Sequence, residues 1–178
     1  VIAEDLPDRH EWSRICEASW DDPLDPSFAQ ARGGRWNPPG TWPTLYLNED
    51  VVTARLNLTL FIADWPYEPE DLADDAGPHL AVAQLPRNQR VADLHTPDGI
   101  AAAGLPNSYP LDEAGELVHH RVCRPIGEQV HEVGLRGIRC RSAQAPHGAG
   151  REVAWFPATS RSQAHLVARR TYTEWFWG

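Results

Sequence analysis

The sequence predicts an α+β fold, a single mixed β-sheet core with flanking helices, and three observations lead there. Strand-like and helix-like segments are interspersed along the chain, neither an internal repeat nor a linker is visible, and 178 residues with 42% hydrophobic content suffice to bury one core. One domain over residues 1–178 is the expectation.

Taken in order, residues 1–30 are acidic and punctuated by proline, as in Asp21-Asp22-Pro23-Leu24-Asp25-Pro26. They read as an N-terminal arm or loop packed on the body through Trp12 and Trp20. Arg32 to Pro43 holds too much Gly and Pro for a regular element and must be a shaped loop. Thr44 to Asn48 reads as a short strand, after which Asn48 or Asp50 caps a helix running to about Ala63. Residues 66–78 are an acidic surface connection. Two strands follow, His79 to Leu85 and Arg90 to Leu94, with Pro86 to Gln89 turning between them. Thr96-Pro97-Asp98 starts a short helix that ends near Gly104, and Asn107 to Glu116 is a loop. Ile126, Val130 and Val133 recur at helical spacing before a stop at Gly134. From Gly137 to Ala143, Ile138, Cys140 and Ser142 alternate with Arg139 and Arg141, the pattern of a strand with one face inward. Ala145 to Gly150 is a turn and Glu152 to Phe156 a further strand. The aromatic run Tyr172 to Trp177 must pack on the body or on another chain.

Charge and composition exclude several functions. A net charge of −9 argues against direct nucleic-acid binding. All sixteen basic residues are Arg, so a Schiff-base lysine and a P-loop lysine are both ruled out. Val51 to Ile62 is too short and too polar to span a bilayer, and the N-terminus shows no secretory pattern, so a cytoplasmic protein without membrane attachment is expected. Cys16, Cys123 and Cys140 are isolated and odd in number, which speaks against a disulfide framework. His119, His120 and Cys123 bring metal-ligand atoms together, but lack the second ligand pair of a zinc site, so no metal is assigned. Gly148 to Glu152 lacks the setting of a phosphate loop, and no GxSxG elbow marks a serine nucleophile.

The chemistry concentrates in Arg32-Gly33-Gly34-Arg35-Trp36-Asn37-Pro38-Pro39-Gly40, followed by Leu45-Tyr46-Leu47. Adjacent glycines admit close backbone approach, arginine forks suit a diphosphate, and Trp36 and Tyr46 could hold rings. A glycine turn with a core tryptophan and surface arginines gives the same letters.

This stretch resembles the signature of the RES-domain family, toxins of bacterial toxin–antitoxin pairs. Weaker similarity extends to Glu11-Trp12-Ser13, to Cys123 through Gly127 and to Gly137 through Ala143. The resemblance implies a fold similar to ADP-ribosyltransferases and cleavage of the nicotinamide–ribose bond of NAD, by phosphorolysis or hydrolysis. NAD is then a substrate and phosphate an alternative co-substrate, with no resident cofactor. It also implies a DNA-binding antitoxin as partner, and a homodimer. Alternatives are a catalytically weakened module that binds NAD, ADP-ribose or a partner, and an ADP-ribosyltransferase. By the same resemblance Arg35, Tyr46, Asn57 and Ser142 are the catalytic positions, and Arg32, Gly33, Gly34, Trp36 and Asn37 bind substrate. The family has glutamate where this chain has Asn57. Glu49 or Asp50 could replace its charge, Arg121 competes with Ser142 for the serine position, and Ala18 and Ser19 stand where some members carry arginine and tyrosine.

Overall fold

In Leu45-Tyr46-Leu47-Asn48 side chains alternate between two faces, and that alternation organises the molecule. Leu45 and Leu47 enter one hydrophobic cluster, whereas Tyr46 packs against another on the opposite face. The computed structural model describes residues 1–145 and 149–178. Its strands are β1 (Ala3–Asp5), β2 (Glu11–Cys16), β3 (Leu45–Asn48), β4 (His79–Gln84), β5 (Arg90–Leu94), β6 (Gly137–Arg141), β7 (Arg151–Trp155) and β8 (His165–Arg170). They form one sheet in the order β1-β5-β6-β7-β3-β2-β4-β8. Only β5 and β6 run parallel among these pairs; the sheet is mixed, and the fold α+β.

Helices α1 (Ser27–Arg32), α2 (Val51–Phe61), α3 (Pro97–Ala102), α4 (His120–Glu132) and α5 (Tyr172–Phe176) complete the described elements. Asp50, not Asn48, caps α2: its carboxylate accepts from the Thr53 amide at 2.7 Å. Thr96 caps α3 in the same way, through the Gly99 amide. On one face of the sheet, Trp12, Leu45, Leu47, Val153 and Trp155 form a continuous core. The other face carries two cores. Ile138 and Cys140 pack with Val130 and Cys123 of α4, while Leu80 and Val82 pack with Leu58 of α2 and Trp175 of α5. The polar residues Asn48 and Glu152 pair across β3 and β7, on the same face as Tyr46.

One sequence expectation is corrected. Residues 1–30 are not an arm: β2 lies inside the sheet between β3 and β4, with Trp12 1% exposed. The acidic, proline-punctuated run Asp21 to Pro26 that suggested a loop lies in the segment after β2. The C-terminal aromatics do pack on the body, as α5, with Tyr172 and Trp175 buried and the Trp175 indole donating to Pro78 O. The turn expected over Ala145 to Gly150 lies partly outside the described residues. No described helix is long and apolar enough to cross a membrane.

Candidate functional site

Gly33 has φ of +74°, a conformation that suits glycine, and Gly34 lies so close to Tyr46 that a Cβ there would overlap the phenol oxygen. The glycines therefore let the loop close over β3. Tyr46 Oη accepts from the Trp36 amide at 3.0 Å and donates to Asn37 Oδ1 at 2.9 Å. Burial pushes its pKa well up, so the phenol stays protonated and keeps both bonds. Trp36 and Asn37 are almost wholly buried, and Asn37 also donates to Ala29 O. Trp36 is thus a core side chain and not a platform for a base. Arg32 ends α1, exposed.

Arg35 turns towards α4. Its Nη1 donates to Val118 O at 2.7 Å and lies 3.7 Å from Cys123 Sγ. Burial opposes its charge, but the nearby ionisable Tyr109 and Cys123 favour it, and the guanidinium pKa is raised. Gly127 of α4 faces the Trp36 carbonyl so closely that a Cβ would collide with it. Loop, β3 and α4 are therefore one packed unit.

A second constellation is built by register. Asn48 of β3 stands opposite Glu152 of β7, which stands opposite Cys140 of β6, and Ser142 follows two residues later. Asn57 projects from α2 onto this row. Its Nδ2 donates to Asn48 Oδ1 at 2.6 Å and to Glu152 Oε1 at 2.8 Å. Ser142 Oγ, with one proton to give, lies 2.6 Å from Glu152 Oε1 and 3.0 Å from Asn57 Oδ1. Asn48 Nδ2 reaches Ser13 O at 3.2 Å. Ser142 is fully buried, whereas Glu152 and Asn57 are partly exposed. The carboxylate thus accepts two hydrogen bonds on one oxygen, and among the described residues Oε2 accepts none.

Asn57 also lines a cleft of about 760 Å3 between the end of α2, the segment 17–20 and the segment 75–78. This size falls in the range of small-molecule sites. Trp20, Phe61 and Trp65 contribute rings to its wall, and Gln144 lies at its edge. Ala18 and Ser19 line it as well.

Of the expected residues, the structure brings Asn57 and Ser142 together and joins Tyr46 to Trp36 and Asn37. Arg32 and Arg35 do not line the cleft. Neither proposed substitute acid reaches Asn57. Glu49 is held by Arg139 at 2.6 and 2.9 Å, and Asp50 is the α2 cap. Arg121 is exposed on α4, which leaves Ser142 as the serine of the constellation. Sequence reasoning missed Glu152 and Asn48. The signal was present in alternation: a hairpin joining the strands of Cys140 and Glu152 puts both on the face of Ser142.

His119 is the N-cap of α4, its Nδ1 accepting from the Arg121 amide, and Cys123 is buried beneath Arg35. The three ligand-type groups that do converge among the described residues are Glu4, Asp93 and His95. There Arg139 also reaches Glu4 at 3.4 Å, so the carboxylate already has a cation.

The family model of the RES domain matches residues 11–177. No curated protein matches the chain in sequence. Among solved structures, a chain of the crystal structure of the M. tuberculosis MbcT–MbcA toxin–antitoxin complex is similar, with a TM-score of 0.76 at 20% identity. The match covers 99% of this chain and 92% of that one.

Proposed function

The chain belongs to the RES domain family, and we propose that it cleaves the nicotinamide–ribose bond of NAD and of compounds that carry the same bond, with Glu152 as its acid. The observation that carries this reading is the Glu152 carboxylate hydrogen-bonded to Ser142 and to Asn57, the residue of the three that lines the cleft. A negative charge lies within hydrogen-bond reach of the position where the family places its glutamate.

Cleavage of this bond needs little more than charge and position. The C1′–N bond breaks with its electron pair going to the pyridinium nitrogen, which leaves as neutral nicotinamide. Positive charge grows on the ribose carbon, and a fixed carboxylate stabilises it. The new C1′–O bond forms to water or to phosphate; with water, the released proton passes through Glu152 to solvent. With the single Ser142 proton given to Glu152, Asn57 Oδ1 has no other donor among the described residues and can take a hydrogen bond from a ribose hydroxyl. Ser142 and Asn48 hold the carboxylate and the amide in place.

The likeness to a chain of a toxin–antitoxin complex supports a biological role as the toxin of such a pair, restrained by an antitoxin. Purified protein incubated with NAD, with and without phosphate, should release nicotinamide, and the ribosyl product should be ribose-1-phosphate-linked only when phosphate is present. Nucleotide binding without any release would instead make the chain a binding module.

A further inference from the structure

Among the described residues, the cleft beside Asn57 holds acids and aromatic rings but no cation, which is the wrong lining for a diphosphate. Glu17 and Asp75 are its charged residues among those described, and both are exposed. The arginines on neighbouring segments are committed elsewhere. Arg169 gives its guanidinium to the carbonyls of Glu17, Ala18 and Trp20, and so holds the rim itself. Arg55 binds the carbonyls of Trp175 and Gly178, and Arg14 those of Pro23 and Asp25. None of the three lines the cleft.

The rings are placed on the opposite logic. Phe61 and Trp65 meet edge to face with centroids 5.5 Å apart and stay 69% and 43% exposed, although such side chains cost free energy in water. Trp20 lines the same cleft. Aromatic faces attract a positively charged ring, and acids at the rim add to that attraction. A dinucleotide brings two negative phosphate charges into the same space, with no arginine fork to receive them.

We infer that this cleft selects ribosylated pyridinium cations without a 5′-diphosphate, of which nicotinamide riboside is the simplest, over the intact dinucleotide. The inference rests on the reading above that the C1′–N bond is the one cut, and it narrows the substrate class of that same site. Bond making and breaking are unchanged: nicotinamide leaves neutral with the bonding pair, and ribose is released with water or ribose-1-phosphate with phosphate.

The test compares nicotinamide release from nicotinamide riboside, nicotinamide mononucleotide and NAD by the full chain at low ionic strength. The riboside should show a kcat/KM at least about tenfold above NAD, the equivalent of one lost charge-assisted contact, with the mononucleotide between them. In a double variant, Glu17→Arg with Asp75→Arg, both positions are exposed and the preference should move towards NAD by about tenfold at low salt and less at high salt. Trp65→Ala should raise KM for the riboside with little change in kcat. Equal or better use of NAD by the wild type overturns this inference and leaves the proposed reaction standing. Release from none of the three compounds overturns both. A double variant whose preference does not move, in protein that melts like the wild type, also overturns the selectivity argument.

Discussion

Glu152→Gln removes one charge and almost nothing else. The retained Oε1 still accepts from Asn57 Nδ2 at 2.8 Å and from Ser142 Oγ at 2.6 Å, so the network around it has no reason to collapse. In the proposed reaction, what disappears is the negative charge beside a ribose carbon that becomes cationic. Removing one preorganised electrostatic group of this kind costs about a hundredfold to a thousandfold in rate, roughly 2.7–4 kcal/mol. The loss should fall on kcat, because the charge on the ribose carbon exists only in the transition state, and KM should stay within about threefold. The assay is nicotinamide release at saturating substrate, with thermal melting of both proteins as the control for folding. A variant that melts normally and turns over within about threefold of wild type refutes the role given to Glu152.

Other outcomes follow from packing and burial. Gly34→Ala would drive a methyl into the Tyr46 hydroxyl, and Gly127→Ala would drive one into the Trp36 carbonyl; each should destabilise by about 1–3 kcal/mol in denaturant titration. Arg35→Lys keeps the charge but gives up the rigid guanidinium whose Nη1 reaches Val118 O and Cys123; it should lower stability by roughly 1–2 kcal/mol while nicotinamide riboside binding, measured by calorimetry, holds. Burial raises the pKa of all three thiols, Cys16, Cys123 and Cys140, so iodoacetamide at neutral pH should label the native protein slowly and the denatured protein fully, as read by mass spectrometry.

The sequence was most legible where periodicity and punctuation agree. The Asp50 cap, the Thr96-Pro97 helix start and the alternation in Gly137 to Ala143 each rest on local chemistry that the fold does not override. It was least legible where tertiary context decides. β2 carries Glu11 and Arg14 among its six residues and follows no clean alternation, yet it is an inner strand because Trp12 and Cys16 fill the core below it. β8 was missed because its first three residues are exposed at a sheet edge and no apolar pattern was needed there. At the site, Asn57 and Ser142 could be anticipated as partners, 85 residues apart, through motif resemblance alone. Glu152 could not, because its importance comes from cross-strand register. The arginines of the motif, Arg32 and Arg35, suggested diphosphate binding, but the loop folds so that one is exposed at the end of α1 and the other is bonded to Val118.

The most direct test of the account exchanges the two side chains on which it turns. Asn57→Glu alone sets a carboxylate against two acceptors, Asn48 Oδ1 and Glu152 Oε1, where like charges this close cannot both ionise without cost. It should lower both stability and nicotinamide release. Asn57→Glu combined with Glu152→Asn restores one acid and one amide in the same network, and release should return to within about tenfold of wild type, since a shifted charge of the same sign still faces the ribose carbon. A wild type without activity beside an active double variant would contradict the account, because Glu152 would then have no part in the chemistry.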